Sequence, residues 1–218
     1  MKKTIRIIVI AAICTGAYMY LKPATIDPSL IAETTDVTTG TVDMTTGTTS
    51  NANQFSLNAN STLSWTGRKV GGEHYGTIAL KDGFVTLESG MVAAGEFTID
   101  MATIASTDLS GADQEKLVWH LSSADFFDVA QYPTGRFTIT SITANASGAS
   151  MYDVVGTLMI KWTGKQITFP ATIVMMADSV NVTAWFYIDR KDRGLTTMAG
   201  VIDDKLGINF NLMFGKAL

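Results

Sequence analysis

Ile167-Thr-Phe-Pro-Ala-Thr-Ile-Val-Met-Met-Ala-Asp-Ser-Val-Asn-Val-Thr-Ala-Trp-Phe-Tyr-Ile188 decides the fold. Apolar side chains fall on every second position: Ile167, Phe169, Ala171, Ile173 and Met175, then Val180, Val182, Ala184, Phe186 and Ile188. A helix would repeat them every three to four residues, so period two means two half-buried strands. Ala177-Asp178-Ser179 between them is a turn, which makes the pair a hairpin. Pro170 lacks an N–H for the ladder and belongs at an edge, a bulge or a barrel seam.

The same rhythm runs through the rest of the stretch from Phe55 to Leu218. Met91, Ala93, Gly95, Phe97 and Ile99 form one row, and Val154, Gly156, Leu158 and Ile160 another. Phe137 and Ile139 alternate with Arg136, Thr138 and Thr140, and Leu206, Ile208, Phe210, Leu212 and Phe214 end the series. Leu63 with Trp65, Ile78 with Leu80, and Val85 with Leu87 add three more strands. Turns are expected at Lys81-Asp82-Gly83, Glu88-Ser89-Gly90 and Thr163-Gly164-Lys165. About eight strands with one apolar face and short turns make an antiparallel meander. Closing it removes the exposed edges, so the expected fold is an all-β antiparallel barrel.

One segment breaks the rhythm. Ser110-Gly-Ala-Asp113 has capping-box spacing, and Leu117 and Leu121 stack at i,i+4, which predicts a short helix. Ser122-Ser-Ala-Asp125 repeats the capping spacing before Phe126-Phe127, and Tyr132-Pro133 forces an extended exit. A helical insertion in a barrel closes one end, with Trp119, Phe126 and Phe127 as lid aromatics. His120 has two readings: contact with a ligand's polar head, or hydrogen bonding to the ends of the short helices. Asp189-Arg-Lys-Asp-Arg-Gly194 is a charged turn in which Arg190 or Arg193 could hold an anionic head.

The inward rows mix large residues with Ala93, Gly95, Gly156, Ala171 and Ala184. Small residues there either leave room for a guest or interdigitate with large neighbours. Phe97, Ala171, Ala184 and Phe186 are the candidate wall of a hollow, with His120, Trp119, Phe126 and Arg190 near its mouth.

Ahead of the strands stand two other segments. Lys2, Lys3 and Arg6 precede the apolar run from Ile7 to Leu21, an export signal that is either cleaved or kept as a membrane anchor. Cys14 is preceded by Ile13, where a lipoprotein signal needs a small residue. Residues 22 to 54 are expected to be a flexible linker. More than half of Thr34–Thr49 is threonine, with no apolar period to offset the ordering of the chain. The expected location is periplasmic or cell-surface, tethered to the cytoplasmic membrane if the first segment stays.

A net charge of -4 argues against nucleic acid as partner. A single cysteine excludes an internal disulfide and any cysteine-based metal site. The two histidines, with no nucleophile elbow and no phosphate loop, predict neither an enzyme nor a metal site. No resident cofactor is expected, beyond a bound apolar lipid. Two readings of function stand: a carrier for a long apolar lipid, and a non-enzymatic stress-response or interaction module with a filled barrel that acts through its surface. The oligomeric state stays open, a dimer included.

Ser64-Trp-Thr-Gly67, Gly95-Glu-Phe-Thr-Ile-Asp100 followed by Met101 to Ile104, His120-Leu-Ser-Ser-Ala-Asp-Phe-Phe127, Tyr132-Pro133 and Phe137 resemble the YceI-like family. Gly156-Thr-Leu158, Trp162-Thr-Gly-Lys165, and Ile188-Asp-Arg190 with Gly194 are similar to its later strands. The resemblance implies an exported lipid- or polyisoprenoid-binding protein, a lipocalin-like barrel with a tunnel for an isoprenoid lipid or quinone, and no catalysis. Val118-Trp119 departs from the polar residues that many members carry before the histidine.

Overall fold

The computed structural model describes residues 26–36, 53–161 and 163–216. The apolar N-terminal run with Cys14, most of the Thr-rich segment, and Trp162 lie outside the described residues.

Eight long strands form an antiparallel meander: β3 (Thr62–Lys69), β4 (Gly72–Glu88), β5 (Met91–Ser106), β6 (Thr134–Ala144), β7 (Met151–Ile160), β8 (Thr163–Met175), β9 (Ser179–Asp189) and β10 (Ile202–Lys216). Each pairs with the next, and β10 returns to β3, with Ile208 opposite Trp65, so the barrel closes. Among the described residues one α-helix, α1 (Gly111–Ser122), joins β5 to β6.

Two short strands complete the ladder. β2 (Gln54–Leu57) continues the line of β3 and lies between β4 and the end of β10. β1 (Glu33–Asp36) pairs with the first half of β8, where β9 has turned away. Within the stretch from 22 to 54 expected as a flexible linker, β1 and the first residue of β2 are strand. Residues 31–36 are bound in the seam through β1, through Ile31 opposite Tyr187, and through the Ala32 N–H donating to the Tyr187 carbonyl at 2.7 Å. An unpaired β8 edge is a stronger attractor than the weak local preference of Glu-Thr-Thr-Asp. Pro170 falls at this seam: β1 pairs as far as Thr168, and β9 pairs from Thr172.

Three sequence expectations shift in register. Lys81-Asp82-Gly83 is no turn, because β4 runs through it with a bulge between Leu80 and Asp82. The glycine serves close approach instead, since a Cβ there would lie 2.8 Å from the Glu96 carbonyl oxygen. The turn expected at Thr163-Gly164-Lys165 comes earlier, between Ile160 and Thr163, with Lys161 at positive φ. An extra residue on β5 near its start turns Met91 and Ala93 outward and Val92 inward. The turn at Ser89-Gly90 stands where expected, both residues at positive φ, as a two-residue hairpin requires.

Small inward residues do not hollow the barrel where they stand. A Cβ on Gly156 would come within 2.2 Å of the Phe137 ring, so this glycine is the seat of that ring. Gly95 is likewise covered by Val85 and Ile139. Phe97, Phe137, Phe169, Phe186 and Phe210 meet as an aromatic layer across the barrel, with Phe169 stacked on Phe186 at 4.1 Å.

Candidate functional site

Above the aromatic layer the barrel is hollow. The cavity measures about 270 Å³, just under the ~300 Å³ at which small-molecule pockets usually begin. The phenylalanine layer is its floor, and below that a void of only about 30 Å³ remains. Leu63, Ile99, Leu158, Ile167, Leu206 and Ile208 build the walls.

The cap end is where the chain leaves the β pattern. α1 lays Leu117 and Leu121 over the cavity. Ser110 is the N-cap by position but makes no side-chain cap hydrogen bond. The repeat at Ser122 gives turns rather than a second helix, with the Phe126 N–H donating to the Ser123 carbonyl and the Phe127 N–H to that of Leu121. Phe126 and Phe127 are buried and meet edge to face at 4.9 Å. The loop after β9 closes the other side, and the Thr197 hydroxyl donates to the Asp125 carbonyl, tying the two caps together.

The named candidates divide in two groups. His120, Phe126, Phe97 and Phe186 line the cavity. Trp119, Ala171, Ala184 and Arg190 lie outside its lining. Trp119 is 72% exposed on the outer side of α1 and is no lid residue, because the helix turns its 117/121 face inward. Ala171 and Ala184 are buried in the packed strands.

Arg190 is spent on the backbone. Fully buried, it donates to the carbonyls of Asp203 at 3.1 Å, Leu195, Thr197 at 2.9 Å and Ile202 at 3.3 Å, and pairs with Asp204 at 3.4 Å. It staples the loop between β9 and β10 and has little left for a ligand.

Arg193 differs. It closes a short 3-10 turn, Lys191–Arg193, and is 1% exposed at the cavity wall. Its Nη1 donates to the Leu158 carbonyl at 3.0 Å, while Nε and Nη2 have no partner among the described residues. Burial pushes its pKa down to about 10, partly opposed by the charge of Asp192. Strand alternation could not single it out, because the turn breaks the period.

His120 stands in the last turn of α1. Its carbonyl, not its ring, accepts from Ser123, through the N–H at 3.2 Å and the hydroxyl at 2.8 Å. The ring lies 5.8 Å from that of Phe126, and its Nε2 is buried with no partner among the described residues. Trp65 Nε1 and Arg68 Nη1, on two further residues of the lining, are in the same state. An apolar cavity rimmed by unmatched donors suits an amphiphile better than a hydrocarbon.

At the mouth, His74 Nδ1 lies 2.7 Å from Asp108 Oδ2. Burial alone would raise the Asp108 pKa. Hydrogen bonds from His74, the Ser106 hydroxyl and the Tyr75 N–H outweigh it and lower the value to about 2. The carboxylate thus fastens the start of the cap to β4.

The family model described as a YceI-like domain matches residues 54–214. A UPF0312 protein of Pseudomonas putida (strain W619) is 35% identical over 98 residues, covering 45% of this chain and 48% of that protein. Protein YceI of Escherichia coli O17:K52:H18 is 32% identical over 104 residues, 48% of this chain and 51% of that one. The chain thus spans about half the length of the curated relatives it matches. Among solved structures, Burkholderia cenocepacia BcnA superposes with a TM-score of 0.58 at 22% identity, over 71% of this chain and 96% of that one. A polyisoprenoid binding domain from Saccharophagus degradans gives 0.57 at 16% identity, over 75% and 98%. Both likenesses are of fold.

Proposed function

Because the chain belongs to the YceI-like family, we propose that it is an exported, membrane-tethered binding protein that holds a long apolar lipid, isoprenoid or quinone-like, inside its barrel. The observation that carries this reading is the apolar cavity of about 270 Å³ enclosed by strands and cap. The Saccharophagus neighbour, a polyisoprenoid binding domain, supports the choice of ligand class. Export and tethering rest on the basic residues and apolar run of the first segment.

The energetics suit a carrier. Each tail methylene taken out of water contributes about 0.8 kcal/mol. About ten of them give about 8 kcal/mol, enough to exceed the lower estimates of the cost of immobilising a ligand. No proton transfer or bond cleavage is needed, so the protein acts by shielding a tail from water and not as an enzyme.

The test is extraction of the full chain, purified without detergent from a bacterial host, followed by lipid mass spectrometry. A copurified long-chain lipid in near-stoichiometric amount is expected. A lipid-free protein that also takes up no added isoprenoid would contradict the reading.

A further inference from the structure

The cavity walls are greasy, yet a buried guanidinium stands in them. Arg193 uses one nitrogen, Nη1, on the Leu158 carbonyl. The Nε and Nη2 donors that remain form one edge of the planar group, with two parallel N–H directions. That edge matches the two oxygens of a carboxylate. At 1% exposure it is out of reach of bulk solvent. No carboxylate of the described residues forms an ion pair with it; the half-buried neighbour Asp192 offsets part of the charge but leaves the Nε and Nη2 donors unmatched. A buried cation left in this state is unfavourable, and an incoming anion relieves it.

Resting on the carrier reading, we infer that the lipid held here is a single-chain carboxylic acid, its tail on the phenylalanine floor and its carboxylate on the Nε–Nη2 edge of Arg193. His120 Nε2, unmatched in the same cavity, is a further donor for the head group when it carries a proton. One guanidinium neutralises one carboxylate, and the Nε–H and the adjacent Nη2–H on this edge match its two oxygens. A phosphate would bring a further oxygen and more charge than this edge can satisfy. A tail ending in an alcohol would leave the charge unpaired.

Three probes with one tail separate these heads: geranylgeranoic acid, geranylgeraniol and geranylgeranyl phosphate, each displacing a fluorescent apolar reporter from the delipidated full chain. The acid is expected to bind at least about 10-fold tighter than the alcohol, the effect of a charge-assisted pair. It should also bind tighter than the phosphate. Arg193→Gln should abolish the preference for the acid and leave the alcohol within about twofold. Arg193→Lys, which keeps the charge without the paired edge, should retain only part of it. The wild-type comparison needs no variant and stands even if Arg193→Gln fails to fold. Equal binding of acid and alcohol, phosphate binding as tight as acid, or a preference that survives Arg193→Gln overturns the inference while leaving the carrier reading in place. Failure of all three probes to bind overturns both.

Discussion

The two halves of the barrel are built from the same strands and end differently. Toward the Ser89-Gly90 turn, side chains fill the interior to a residual void of about 30 Å³. Toward α1, the strands leave about 270 Å³. The difference is not in how many small residues point inward. In the filled half, Gly156 and Gly95 admit neighbouring side chains into the space a Cβ would take. In the hollow half, the cap is made of a helix, turns and a loop that span the opening without descending into it. A small residue therefore signals close packing as readily as empty space, and only the neighbour across the sheet decides which.

Removing the floor should break this contrast most severely. Phe169 stacks on Phe186 and lines both cavities. Phe169→Ala should destabilise the protein by about 3–5 kcal/mol in denaturant unfolding. It should also merge the two spaces, so that longer tails bind than in the wild type. Gly156→Ala crowds the floor instead of emptying it. The added methyl collides with the Phe137 ring, and a loss of about 1–3 kcal/mol is expected, with lipid uptake retained.

Asp108 tests the anchoring of the cap. Its folded pKa of about 2 lies below the ordinary value of 3.8. Its contribution is therefore complete above the ordinary value and disappears as pH falls through about 2. Asp108→Asn should cost on the order of 1 kcal/mol at neutral pH after allowance for solvent screening. Its unfolding curves should converge with those of the wild type at the acid end. The smallest change in stability is expected for Leu63→Trp, which grows into the hollow half. Unfolding should shift by less than about 1 kcal/mol, because the ring enters empty space, while lipid binding falls sharply.

The sequence made the strands legible wherever alternation ran unbroken, as in Val180–Ile188, and it placed the helix through the 117/121 pair. It misled where a glycine in a strand imitates a turn, as at Gly83, and where a bulge reverses the faces, as at Met91 and Ala93. β1 was hidden because its order comes from the open β8 edge and not from its own residues. At the candidate site, the aromatic wall at Phe97, Phe126 and Phe186 could be read from period and composition. The division of labour between Arg190 and Arg193 could not. Both belong to one charged turn, and only tertiary contacts send one to five oxygen acceptors and the other to the cavity wall.

Trp65 offers the most direct view of an occupied cavity, since it lines the hollow half. In a variant with the other three tryptophans, Trp119, Trp162 and Trp185, replaced by phenylalanine, its fluorescence reports on that space alone. A fatty acid brominated at mid-chain should quench it strongly and saturably, and the unbrominated chain should not. Retained binding of the brominated chain with Trp65 emission unchanged would place the lipid outside the barrel and contradict the account.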